Sequence, residues 1–272
     1  MSARLDRTFD DLRQAGRKAL VAYLCVGDPS LEESIDLAET AALAGADILE
    51  LGVPFSDPTA DGPAIAQASR RAIQSGATLT RVIEVAAAVR ARVAAPIVLF
   101  GYYNPIAVTG DARVVALAAD AGVDALLVVD LPPEEGHGLR AAATAAGMAI
   151  VPLIAPTTDP ARAQRILGAD AARGFIYYVA VTGVTGSSQA GHTQASEEAA
   201  RLRERFGLPV AVGFGIDGAK SAREAAGPRD GGASGIVVGT ALVKAIHAAP
   251  TAEARRAAVR ALIGELRSAL DS

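Results

Sequence analysis

The chain has no tryptophan and a single cysteine, Cys25, and aromatic residues make up 4% of its 272 positions. One cysteine excludes an intramolecular disulfide and any metal site built from several thiolates. With so few rings, a core has to be packed from aliphatic side chains and alanine, and a hydrophobic content of 51% supplies them. Lysine is scarce, at Lys18, Lys220 and Lys244, and so is histidine, at His137, His192 and His247. The three histidines show no metal-ligand spacing, so each is expected in a loop or at the surface and no metal site is expected. No block of Lys and Arg interrupts the interspersed charges, and the net charge is −4, which argues against a nucleic-acid footprint. No apolar run approaches the ~18 residues of a membrane span. Residues 1–15 lack the apolar centre of a signal peptide. The expectation is a cytoplasmic protein with no membrane association.

What the chain does have is alternation. Short apolar runs read as strands near 19–24, 47–53, 96–101, 124–129, 149–154, 174–180, 208–213 and 235–239. Each is short and uniformly apolar, the pattern of a strand covered on both faces. Helical patterns fill the gaps at 31–43, 78–92, 111–121, 134–146, 159–166, 193–206, 217–226 and 240–247, and additional helices fit 4–15, 62–75 and 252–269. Repeated βα units give parallel strands with right-handed crossovers. Eight of them favour a closed barrel over an open doubly wound sheet. The expected fold is therefore α/β, a (β/α)8 TIM barrel with extra helices at the N-terminus and after strand 2. No linker composition breaks the chain, which is expected to form one domain over 1–272. In such a barrel the chemistry sits on the loops that follow the strands.

Strand 2 carries an acid. Leu49, Leu51 and Val53 form an apolar face that should meet the helices, and Ile48, Glu50 and Gly52 then point into the barrel. A carboxylate there is either salt-bridged or unpaired with a raised pKa, which suits a general acid/base. No other strand carries a Lys or Arg at a matching place. The loop that follows, Pro54 to Pro63, contains Asp57 and Asp61. Asp61 before Gly62-Pro63 also reads as a helix start, and Asp57 before Pro58 as a turn former.

The stretch LELGVPFSDPTADGPAIAQAS (49–69) resembles the signature of the tryptophan synthase α family. LFGYYNPI (99–106), VDALLVVDLPPEE (123–135), YYVAVTGVTG (177–186), AVGFGI (211–216), GIVVGTALVK (235–244) and GDPS (27–30) are similar to further stretches of that family, in its order. The resemblance covers nearly the whole chain. It implies retro-aldol cleavage of indole-3-glycerol phosphate to indole and glyceraldehyde 3-phosphate, in tryptophan biosynthesis. Glu50 is then the general acid/base, and Asp61 accepts from the indole N–H and stabilises the indolenine. Tyr177, inward-facing if Phe175 and Val179 share its face, reaches the substrate. Tyr23, Phe100, Leu127 and Phe214 match the walls around the indole ring, although core packing explains these four equally well.

The glycines on the later loops fit a phosphate. Gly186 follows strand 6, Gly215 follows strand 7, and Gly239-Thr240 follows strand 8 and opens a helix. Backbone N–H groups at a helix N-terminus bind phosphate, and these loops are the usual phosphate site of such barrels. The same glycines could simply make tight turns. The stretch 182–195 is rich in Gly, Ser and Thr and resembles the family's lid, which brings Thr185 to Asp61 on closure.

A carbon–carbon cleavage usually recruits a Schiff-base lysine or a metal. The three lysines lie before strand 1 or in helical segments, which leaves the two carboxylates. By resemblance the chain binds no cofactor and docks, through the region of Asp57-Pro58 and the 182–195 loop, on a pyridoxal-phosphate β subunit in an α2β2 heterotetramer. Thr59, Ala64, Ala22, Cys25 and Val129 depart from the family's usual residues, the first two within the docking region. Thr240 replaces a serine and keeps the hydroxyl. The competing expectations are a stand-alone indole-glycerol-phosphate lyase, another phosphosugar barrel such as an isomerase, and a non-catalytic subunit that activates a β partner.

Overall fold

Apolar strands and amphipathic helices alternate from end to end. The computed structural model describes residues 3–168, 174–179, 189–213 and 215–272, with residues 189 and 190 as backbone only. Among the described residues the strands are β1 Ala19–Cys25, β2 Ile48–Gly52, β3 Ile97–Gly101, β4 Ala125–Val128, β5 Ala149–Ile150, β6 Leu153–Ile154, β7 Ile176–Val179, β8 Val210–Gly213 and β9 Gly235–Val238. The helices are α1 Ala3–Gln14, α2 Leu31–Leu43, α3 Pro63–Gln74, α4 Leu79–Arg90, α5 Tyr103–Thr109, α6 Asp111–Asp120, α7 His137–Ala145, α8 Pro160–Leu167, α9 Gln189–Phe206, α10 Ala219–Ala226, α11 Thr240–Ala248 and α12 Ala252–Asp271.

Every strand pair is parallel, and the order is β5-β4-β3-β2-β1-β9-β8-β7-β6. The two ends of that order are halves of one expected strand, 149–154. Pro152 has no N–H to give to a ladder, so regular pairing is interrupted there. The chain nevertheless stays in register. The Val151 N–H donates to Leu126 O at 2.8 Å on one side, and the Tyr177 N–H donates to Pro152 O at 2.9 Å on the other. These bonds close the (β/α)8 barrel.

The interior is layered by strand alternation. Val21, Ile48, Val98, Leu127, Val151, Phe175, Ala211 and Val237 belong to one buried cluster inside the barrel. Leu20, Leu49, Leu51, Leu99, Leu126 and Ile236 belong to the shell packed under the helices. Leu5, Phe9 and Leu12 of α1 join the interior cluster, and the Phe9 ring lies 5.4 Å from that of Phe175. Helix α1 therefore stoppers the N-terminal end of the barrel. The expected additional helices at 4–15, 62–75 and 252–269 are α1, α3 and α12.

Two expectations are corrected. Residues 103–109 form α5, which a proline at position 105 hides from a sequence reading; in the first turn that proline removes no helical hydrogen bond. Helix α9 begins at Gln189, inside the 182–195 stretch expected as a loop, so His192 is helical and is 3% exposed. Packing on its neighbours overrides the weak helix propensity of Gly191 and Thr193.

Candidate active site

Glu50 lies in the middle of β2, where the alternation turns it inward, paired in register with Tyr23 of β1 and Val98 of β3. Its exposure is 0%, and neither carboxylate oxygen has a hydrogen-bond partner. A salt bridge therefore does not account for it. Burial alone pushes its pKa up to about 8. At neutral pH the side chain is largely protonated, the state a general acid requires.

Asp61 is on the loop between β2 and α3. It does not cap the helix: the N-cap is Gly62, with Pro63 in the first turn and no side-chain cap hydrogen bond. Asp61 Oδ2 instead accepts the hydroxyl of Tyr102 at 3.0 Å, and that hydroxyl accepts the Ala60 N–H at 3.0 Å. One phenol thus ties both the carboxylate and the adjacent backbone to the end of β3. Burial raises the Asp61 pKa, and the Tyr102 hydrogen bond opposes the rise. The Phe55 ring stacks on Tyr102 at 5.0 Å. Tyr102 lies within the quoted 99–106 stretch, yet nothing in its spacing signals this role.

A cavity of about 360 Å³ opens at the C-terminal ends of the strands. Tyr23, Asp61, Phe100, Tyr177, Gly215, Gly239 and Thr240 all line it. Val129, Leu153, Ile65 and Ile216, which were not assigned from sequence, line it as well. Leu127 sits a layer lower, fully buried in the interior cluster, and Val129 is the wall residue contributed from that side. Glu50 is not on the wall. Its charge and that of Asp61 both act on the Tyr23 and Tyr177 phenols, whose pKa values lie well above the usual range chiefly through burial. Thr185, Gly186 and Phe214 lie outside the described residues.

The three rings form a connected wall. Phe100 meets Tyr23 edge-on at 5.3 Å and Tyr177 at 6.5 Å. Each tyrosine leans over a glycine of the next strand. A methyl group on Gly52 would stand 2.4 Å from the Tyr23 hydroxyl, and one on Gly213 would stand 2.3 Å from the Tyr177 hydroxyl. The opposite end of the cavity is backbone. Gly239 is the N-cap of α11 and gives its first turn no side-chain cap, and Gly215 sits at a φ of 67°. Asp61 is the one charged side chain on the described wall, so an anion there would be held by peptide N–H groups and the helix dipole. Among the described residues no group of three or more His, Cys, Asp and Glu is placed to hold a metal ion, and no helix is long and apolar enough to cross a membrane.

The profile of the family described as tryptophan synthase alpha chain matches residues 9–271. The tryptophan synthase alpha chain of Xanthomonas oryzae pv. oryzae is 46% identical over 270 residues, covering 98% of both chains. That of Geobacter sulfurreducens is 44% identical over 268 residues, covering 98% of this chain and 99% of its own. Among solved structures, tryptophan synthase of Mycobacterium tuberculosis superposes with a TM-score of 0.88 at 31% identity, covering 99% of each chain. The alpha chain from Legionella pneumophila superposes at 0.85 and 33% identity, covering 98% of this chain and 97% of that one. The chain belongs to the tryptophan synthase alpha chain family, the lyases that cleave indole-3-glycerol phosphate in tryptophan biosynthesis.

Proposed function

We propose that Glu50 and Asp61 together carry the cleavage of indole-3-glycerol phosphate. The observation behind this reading is a fully buried, unpartnered Glu50 beneath a cavity on whose described wall Asp61 is the one charged residue. Protonated Glu50 delivers its proton to C3 of the indole, which breaks the ring's aromaticity and leaves an indolenine cation. Asp61, ionised, accepts from the indole N–H and stabilises that cation. Glu50, now a carboxylate, removes the proton from the C3′ hydroxyl. The C3′ oxygen becomes the aldehyde oxygen, and the C3–C3′ bond breaks. Its electron pair restores the indole, and Glu50 ends protonated as it began. Each proton transfer contributes about 10²–10⁴-fold.

Tyr23, Phe100 and Tyr177 form the wall for the indole ring in this reading. The N–H groups at Gly215, Gly239 and Thr240, together with Gly186, take the phosphate, and Thr185 meets Asp61 when the lid closes. The chain forms one domain over 1–272 and works in the cytoplasm. It has no cofactor of its own and docks, in an α2β2 assembly, on a β chain that would carry pyridoxal phosphate and receive the indole.

The test is indole release from indole-3-glycerol phosphate by wild type and Glu50→Gln, with and without a tryptophan synthase β chain. Release that disappears in Glu50→Gln and rises with β is the expected result. Fast release indifferent to β would identify a stand-alone lyase. No release in any condition, with β activity still enhanced, would identify a docking subunit with a vestigial site.

A further inference from the structure

His192 is the one imidazole with no place in the chemistry above and an unexplained environment. It is 3% exposed on α9, and its Nε2 is buried without a hydrogen-bond partner. Its Nδ1 lies 3.7 Å from Glu224 Oε2 of α10, and Glu224 is itself 3.9 Å from Lys220 Nζ. A buried polar atom left unpaired is costly and calls for an explanation. Its position supplies one. Nε2 stands 3.2 Å from the point where a side chain on Gly215 would begin, and Gly215 lines the cavity.

We propose that His192 is a positioning residue of the phosphate end of the cavity: Glu224 orients its ring through Nδ1, and the ring holds the Gly215 turn whose backbone faces the ligand. The proposal rests on the reading of that end as the phosphate site. Gly215 has a φ of 67°, a left-handed conformation that glycine adopts without strain, and the imidazole fills the space any larger residue would need. The turn is thereby backed by a side chain anchored on a second helix. The unused hydrogen-bonding capacity of Nε2 lies beside Gly215, one of the wall residues that a phosphate would approach through its peptide group. The Glu224 carboxylate stands 3.7 Å from Nδ1, too long for a direct hydrogen bond but close enough to favour this orientation of the ring.

The test compares glyceraldehyde 3-phosphate with indole, which has no phosphate, as ligands of the full-length chain. His192→Leu fills the same space without a polar end; His192→Gln restores one. The expected result is about tenfold weaker glyceraldehyde 3-phosphate binding in His192→Leu, recovery to within about threefold in His192→Gln, and indole binding that does not change. In turnover of indole-3-glycerol phosphate the loss should fall on KM more than on kcat. Glu224→Gln, on the less buried partner, should show the same ligand-selective loss at about threefold, which keeps the proposal testable if His192→Leu fails to fold. Equal affinity in wild type and the variants would overturn the proposal, as would an equal loss for both ligands. Wild-type protein that binds indole but no glyceraldehyde 3-phosphate would overturn the phosphate reading itself, and the proposal with it.

Discussion

The Tyr177 hydroxyl lies against the Cα of Gly213, one strand over, leaving no room for a methyl group between them. Gly213 pairs in register with Val179, two residues beyond Tyr177, and Gly52 stands in the same relation to Tyr23 through Cys25. The two tyrosines flank Phe100, so two glycines set the shape of the aromatic wall.

Gly213→Ala should displace the Tyr177 ring from the cavity. The expected outcome is a fall of about tenfold or more in kcat/KM for indole-3-glycerol phosphate, with far-UV circular dichroism unchanged. Gly264→Ala, on α12 away from the cavity, is the steric control, because a methyl there meets nothing within 4 Å. A Gly213→Ala protein with wild-type kinetics would mean that the position of Tyr177 does not matter.

Tyr102→Phe removes the hydroxyl that Asp61 Oδ2 accepts. Burial raises the Asp61 pKa, and this hydrogen bond holds the rise down. Without it the carboxylate ionises at higher pH. The acid limb of the kcat/KM profile should therefore move to higher pH, with activity on that limb down by about tenfold, in keeping with the loss of a hydrogen bond to a charged group. Unmoved limbs would show that Tyr102 acts on loop stability alone.

Glu50 couples folding to pH. Its folded pKa is raised to about 8 from 4.5, so the fold favours the protonated form. This contribution is fully present below about pH 4.5 and is lost as pH rises through about 8. Glu50→Gln carries no such loss. Denaturant titrations should show the variant gaining on wild type by up to about 1.4 kcal/mol per pH unit through that window, with a constant difference beyond it. A stability difference independent of pH would contradict a buried, unpartnered carboxyl.

Much of this was legible from residue order. The alternation in β2 placed Glu50 inward, and the absence of a matching Lys or Arg in other strands anticipated its lack of a partner. Tyr177 and Val179 share the inward face, as their spacing indicated. What escaped detection depends on contacts between distant segments. Tyr102 reaches Asp61 across 41 positions, and His192 meets Glu224 only because α9 and α10 are neighbours. Residues 61–63 do start a helix, as their order indicates, but Gly62 rather than Asp61 occupies the cap, which leaves the carboxylate for the phenol. The resemblance points to Leu127 for the indole wall; Leu127 lies in the interior cluster, and Val129, just past the end of that strand, lines the cavity.

Helix α1 gives the barrel the form of a cup. Leu5, Phe9 and Leu12 fill its far end, so whatever enters past Asp61 has to leave the same way. Two products formed on one floor then share one doorway. If the phosphate binds as proposed, the phosphate-bearing product is retained by the backbone at one side of that doorway, and the apolar product has no such tether. A protein seated across the opening would receive the untethered product first. Under the proposed reading, direction of delivery would follow from a sealed base and an asymmetric rim.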